Sequence, residues 1–484
     1  MENQTSSRSH LAIHGHFYQP PREDPFTGRI PREPSAAPYA HWNERITAEC
    51  YEPNVKAGNF ERMSFNLGGT LARWLDEHAH RTYEGIVLAE QAYRDRHGVG
   101  NGVAQSVHHT ILPLARRRDK ICQVRWGIAS FEHRFGHRPE GIWLPEMGVD
   151  YETLAVLEAE GIRFTILSDE QVYGDLDAGA GPYRVELTNG GEIAVFVRDR
   201  HLSNDLSFGM PDSAYVDEWL DDHVAWRCQR NGLHLVATDG ETFGHHHRQG
   251  VDVLRQILVA GKPHRCELTT LGLYLRQHPP QSEIKVIENT AWSCAHGLNR
   301  WLVGCNCTPG DDRWKGALRR ALDNLASDLD NIYVCEAQQL GFKPWPLRDR
   351  YIHVVMGSVA EETFLNGNGL GHLMSQETKR LLRLLKAQFH RQRMYISCTF
   401  FFGDLDRYEP RYAIANGARA LALTRHATGH DLTRSFRRDL SVAVSKETSL
   451  TGADIFDEIV SRAELEAKPG PPVCTHPQPR LATT

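Results

Sequence analysis

The sequence has no run of about eighteen apolar residues, so no membrane-crossing helix is expected. It has no excess of one charge either: 55 lysines and arginines stand against 61 aspartates and glutamates, a net charge of −6. That balance leaves no electrostatic footprint for nucleic acid or for an anionic membrane surface. Residues 1–10 are polar and lack the apolar segment of a secretory leader, so no signal peptide is expected. Cysteine is sparse, ten residues in 484, and only Cys305 and Cys307 stand close together. A C-x-C spacing without a second pair is a weak metal signal, and no metal ligand and no cofactor are assigned from it. Most of the cysteines are expected to be reduced and buried, as in a cytoplasmic protein. Internal repeats are absent. The one biased stretch is 468–484, where five prolines and little apolar content predict a disordered tail.

Hydrophobic residues make up 40% of the chain, enough for a large packed core. The 26 histidines offer groups that titrate near neutral pH unless burial intervenes. Through the first three hundred residues, short apolar runs alternate with helical periodicity. Strands are predicted at 11–14, 62–66, 141–144, 162–167 and 233–237, and a hairpin at 185–197 turning on Asn189-Gly190-Gly191. Helices are predicted through Ala72 and Leu75, over 151–160 behind an Asp150 cap, and over 216–228. This alternation calls for a parallel sheet with crossover helices, either closed into a barrel or left open and doubly wound. Beyond about 300 the pattern turns helical, at 315–333, 376–393 and 412–426. The expected division is a catalytic domain over 1–300, a mainly helical domain over 301–465 and a tail over 466–484.

Two acids leave two of these strands. Trp143-Leu144-Pro145-Glu146 places Glu146 directly after a short strand. Thr238-Asp239-Gly240-Glu241-Thr242-Phe243-Gly244 places Asp239 directly after another, with glycines that let the backbone turn tightly or approach a ligand. Taken singly, each is an ordinary loop acid. Together, at the carboxyl ends of parallel strands, they suit glycoside hydrolysis, in which one carboxylate attacks the anomeric carbon and the other protonates the leaving oxygen. The acid needs a raised pKa, which Glu241 is placed to help supply. His14 and His16 end the first strand on one side, fit to bind a sugar or a metal. His245-His246-His247 reads as a solvated loop, since consecutive residues rarely converge on one ion. Trp143, Trp292 and Trp301 offer faces for stacking or for core packing.

These motifs resemble glycoside hydrolase family 57. His16-Phe17-Tyr18-Gln19-Pro20 is similar to its first motif with two residues inserted, Trp143-Leu144-Pro145-Glu146 to its third, and the 239–244 segment to its fourth. Phe65-Asn66-Leu67-Gly68 is the candidate for the second and 292–297 for the fifth. The segments 101–114, 139–150 and 394–416 are similar to a subgroup in which a domain of unknown function, 3536, follows the catalytic part. The resemblance covers about 10–425. It implies a distorted seven-stranded (β/α) barrel of the glycoside hydrolase/deacetylase type followed by a mainly helical region. It implies a retaining mechanism on α-glucans without a required metal, with Glu146 as nucleophile and Asp239 as acid/base. Family members include amylases, 4-α-glucanotransferases and branching enzymes. His14, His16, Trp143, Glu241, Trp292 and His296 are the expected substrate-binding residues. Two other functions stay open: a metal-dependent polysaccharide deacetylase using His14, His16 and His245–His247, and a glucan-binding protein without activity.

Overall fold

Runs that are apolar on both faces cannot stay at a surface, and in this chain they are covered on one side by helices and on the other by one another. The computed structural model describes residues 9–176, 179–229, 231–260 and 266–467. Seven parallel strands form its centre: β1 (Ser9–Phe17), β2 (Ser64–Leu67), β3 (Gly102–Gln105), β4 (Gly141–Trp143), β5 (Phe164–Ser168), β6 (Glu192–Arg198) and β7 (Gly232–Asp239). β1 through β6 pair in chain order, and β7 pairs with β1 from Ser9↔Gly232 to His16↔Asp239. Between β6 and β7 there is no regular ladder. The gap is closed by Asp199 N donating to Leu235 O at 2.9 Å and by residues 179–180, where Ala180 N donates to Leu233 O at 2.7 Å. The sheet is therefore a barrel with one irregular seam, not an open doubly wound sheet. The short strand Cys266–Leu268 pairs with the start of β1, and a disulfide joins Cys266 to Cys228. That bond departs from the expectation that most thiols are reduced; among the described residues seven other cysteines are free.

The predicted hairpin is present, with Tyr183–Glu186 antiparallel to β6. Asp150 caps the Tyr151–Ala159 helix, accepting from Thr153 N at 2.7 Å. β3, only four residues long, carried no strand expectation. The helical region follows as expected, with long helices Trp314–Gln339, Ser375–Arg393 and Tyr408–Thr428. The last described helix, Gly452–Ala467, runs to the expected start of the tail, and 468–484 lies outside the described residues. No described helix is long and apolar enough to cross a membrane.

A buried ion network fastens the helical region to the barrel. Asp119, on the Arg117–Phe135 helix, accepts from Arg348 Nη1 at 2.8 Å and Gln392 Nε2 at 2.9 Å, and pairs with Arg391 at 2.8 Å. Arg391 also reaches Asp330 at 2.8 Å. Burial works against the ionised Asp119, but Arg391 and Arg348 outweigh it and hold the carboxyl below the usual carboxylate range. Asp119→Ala removes the carboxylate that two buried guanidinium groups share, leaving Arg391 with Asp330 and Arg348 with the Arg118 carbonyl and Asp349. It is expected to cost about 3–5 kcal/mol of stability, read as a lowered denaturant midpoint. Because the folded pKa is depressed, this contribution is full at neutral pH and fades as pH falls below about 4.

Candidate functional site

The carboxyl ends of the strands open on a cavity of about 1280 Å³. Glu146 and Asp239 both line it, together with His16, His109, Arg198 and Trp292. The other wall comes from the helical region, through Phe401, Phe402, Arg407 and Tyr408.

Glu146 follows β4 in a single helical turn, Pro145–Met147, and its backbone is left-handed, φ 57° and ψ 19°. Such a conformation costs a non-glycine residue about 1–3 kcal/mol and is kept where the surroundings overdetermine it. Those surroundings are visible: Trp292 N donates to Glu146 O at 3.1 Å, and Met147 N to Leu144 O at 2.8 Å. The carboxylate is held at Oε2 by Ser293 Oγ at 2.7 Å and Trp292 Nε1 at 3.2 Å. Burial raises its pKa, while these two donors and Arg300 oppose the rise.

Asp239 ends β7 beside His16. Burial, and then the charge of Glu146, push its carboxyl up to about 7 against the pull of Arg198. Burial thus raises both carboxyls, and the charge of Glu146 raises that of Asp239 further. Glu146 supplies the repulsion that raises Asp239, and Asp239 and Glu241 repel each other in turn. Glu241 lines the cavity and is held in place there: it accepts from Tyr51 Oη at 2.5 Å and from Tyr18 N at 3.2 Å, and burial pushes it up to about 8. Gly240 is needed for packing rather than for a ligand, since a Cβ there would lie 2.3 Å from the Phe17 ring.

The remaining predicted residues separate into layers. His16 reaches the cavity, meets the Asn66 amide at 2.9 Å and stacks on Trp143 with centroids 4.8 Å apart. His14 and Trp143 do not line the cavity. They are fully buried beneath it and stack on each other, 5.0 Å apart and 5° from parallel, because the inward positions of a narrow barrel must fill one another's space. Trp292 lines the cavity under Arg198, 4.9 Å from its ring. Trp301 is core. His296 faces away from the cavity, its Nδ1 3.1 Å from Cys307 Sγ.

Burial moves His14 down to about 4 and His16 to about 3, so at these two positions burial removes titration near neutral pH. They do not meet the triplet either. His245 pairs with Glu49 at 2.6 Å and His247 with Ser207 O at 2.8 Å. Among the described residues the one group able to hold a metal is Cys294, His296, Cys305 and Cys307, outside the deacetylase set. Two of the cavity residues that escaped sequence reasoning are His109 and Arg198. His109 stacks on Tyr18 at 3.9 Å and bonds Ser397 of the helical region at 2.5 Å. Arg198 is fixed by Ser168 Oγ and Ala237 O, each at 3.2 Å. Its place at the end of β6, the strand-end position that singled out Glu146 and Asp239, was the available signal.

Residues 97–287 match the model of Glycosyl hydrolase family 57, and residues 311–469 that of a domain of unknown function, DUF3536. Alpha-amylase 1 of Dictyoglomus thermophilum is 22% identical over 187 residues, covering 38% of this chain and 26% of that protein. A 1,4-alpha-glucan branching enzyme of Thermococcus kodakarensis is 24% identical over 198 residues, covering 35% of this chain and 29% of that protein. The match thus spans little more than a quarter of the length of these curated relatives. The solved structure of an exo-type maltose-forming amylase from Pyrococcus sp. ST04 superposes with a TM-score of 0.74 at 14% identity, covering 94% of this chain and 88% of that one. A branching enzyme from Pyrococcus horikoshii gives 0.56 at 15% identity, covering 94% of each chain. At such identities the likeness is one of fold, here a seven-stranded (β/α) barrel with a helical region after it.

Proposed function

We propose that this chain, which matches the model of Glycosyl hydrolase family 57 over residues 97–287 and that of DUF3536 over residues 311–469, is a retaining glycoside hydrolase or transglycosylase acting on α-glucans. The observation that carries the reading is the placement of Glu146 and Asp239, at the ends of β4 and β7, on one cavity, where the charge of Glu146 helps to raise the Asp239 pKa. Glu146 attacks the anomeric carbon while Asp239 gives its proton to the departing oxygen, leaving a β-linked glycosyl ester on Glu146. Ester formation removes the Glu146 charge, and with it part of what raises the Asp239 pKa. Asp239 then becomes the stronger acid and remains ionised, ready to take a proton from the incoming water or sugar hydroxyl. His16, Trp292 and Arg198 bound the space beside the reacting carbon; the substrate names of the relatives supply the glucan assignment. A cytoplasmic location belongs to the same reading; the seven free cysteines among the described residues favour it and the Cys228–Cys266 disulfide stands against it.

The pH profile follows from the pair. The rate on free enzyme needs Glu146 ionised and Asp239 protonated, so kcat/KM is expected to be bell-shaped, with its alkaline limb falling as pH passes about 7. The two apparent values belong to the coupled pair. Initial rates from pH 4 to 9 check this; a rate still rising at pH 9 contradicts it. Chromatography of maltoheptaose digests tests the activity itself. Shorter products alone mean hydrolysis, longer ones as well mean transfer, and an unchanged substrate defeats the proposal.

A further inference from the structure

Two short segments meet at the cavity wall that holds Glu146, with Cys294 and Ala295 on its lining. Cys294-Ala295-His296 follows the Ser293 and Trp292 donors directly, and Cys305-Asn306-Cys307 comes eight residues after it. Cys294 Sγ lies 3.5 Å from Cys305 Sγ and 3.8 Å from Cys307 Sγ, and His296 Nδ1 lies 3.1 Å from Cys307 Sγ. All four ligand atoms fall within 4.8 Å of one another. A tetrahedral zinc ion with Zn–S of about 2.3 Å separates its sulfurs by about 3.8 Å and a sulfur from a nitrogen by slightly less. Two of the sulfur–sulfur separations and one sulfur–nitrogen separation already lie near those values, and the rest fall within 4.8 Å. A disulfide needs sulfurs about 2.05 Å apart, and in a set of three thiols it leaves one thiol and the imidazole unused. Calcium and magnesium are poor occupants, because they take oxygen ligands.

The surroundings match the charge such a centre carries. Three thiolates and one zinc ion sum to −1. Lys315 is fully buried and its Nζ has no hydrogen-bond partner among the described residues; Asp312 is the largest opposite charge acting on it, followed by Cys305 and Cys294, with Arg300 opposing them. An anionic metal centre adds to the counter-charge that Asp312 supplies to that buried ammonium.

We propose that Cys294, His296, Cys305 and Cys307 form a structural zinc site. The ion ties the segment bearing Ser293 and Trp292 to the 305–308 segment, whose Thr308 Oγ bonds Phe401 O of the opposite cavity wall at 3.2 Å. It thereby fixes the two donors on Glu146 without touching substrate. That positioning role rests on the proposed function, whereas the metal site itself does not. It also revises two readings from the sequence. C-x-C has its second pair, disguised as C-x-H, and His296 becomes a metal ligand rather than a sugar ligand.

The test is elemental analysis of the full chain, purified without chelators or a histidine tag. One zinc per chain is expected, released when a mercurial reagent blocks the thiols. Replacement by cobalt should give the visible bands of a tetrahedral thiolate site. The double variant Cys305→Ala, Cys307→Ala should lose the ion, while Cys335→Ala, at an exposed and distant cysteine, should keep it. Should the double variant not fold, the cobalt spectrum of the unaltered chain decides alone. Absence of bound metal, or a Cys294–Cys305 disulfide found by mass spectrometry, overturns the site. A metal-replete protein that never turns over glucan leaves the site standing and defeats the proposed function instead.

Discussion

Glu146→Gln is expected to lower turnover of maltoheptaose by on the order of 10⁴-fold or more, the scale on which catalytic groups that act as a unit fail when one is removed. The change is nearly isosteric, and the amide oxygen can still accept from Ser293 Oγ and Trp292 Nε1, which now hold the carboxylate at 2.7 and 3.2 Å. The fold and substrate binding should therefore persist, and the loss should fall on kcat. A second readout separates chemistry from damage. With the Glu146 charge gone, Asp239 should titrate below its value of about 7, because that charge is the second cause of its elevation after burial. Carbon-13 NMR of labelled aspartate reports the shift. Activity within tenfold of the parent would show that Glu146 is not the nucleophile.

Asp239→Ala should act differently on different substrates. With a glucan, whose leaving oxygen needs a proton, the loss is expected to be about 10²–10⁴-fold, the usual contribution of a positioned acid or base. With an α-glucosyl fluoride, whose leaving group needs little help, the first step should survive and the glycosyl enzyme should accumulate. Azide, an anion that needs no deprotonation, should then enter the space vacated by the carboxylate and release an α-glucosyl azide. Rescue by azide with that configuration supports Asp239 as the acid/base. A loss equal for glucan and fluoride, with no rescue, would argue that Asp239 serves only the architecture of the β7 end.

The strand ends were the legible part of the site. An acid that follows a short apolar run directly can be placed at the mouth of a parallel sheet from sequence alone, and the cavity does receive Glu146 and Asp239. Depth was not legible. His14 and His16 lie on the same side of one strand, yet only His16 reaches the cavity, since the layer a side chain occupies depends on what fills the barrel below it. Closure was not legible either, because the β6–β7 seam is made of irregular hydrogen bonds that no periodicity encodes. The same holds for contacts across hundreds of residues. His109 is oriented by Ser397, and one wall of the cavity comes from 401–408, within the helical region. The cysteine cluster escaped because its two halves use different ligand types.

The most direct test of the two-carboxylate account is to trap the intermediate. A 5-fluoroglucosyl fluoride forms the ester but slows its breakdown, so the enzyme should gain one sugar. Mass spectrometry of the digested protein should then place that sugar on the peptide containing Glu146, and Glu146→Gln should take up none. A label on any other carboxylate, or turnover of glucan with no label at all, would contradict the assignment of Glu146 as the nucleophile.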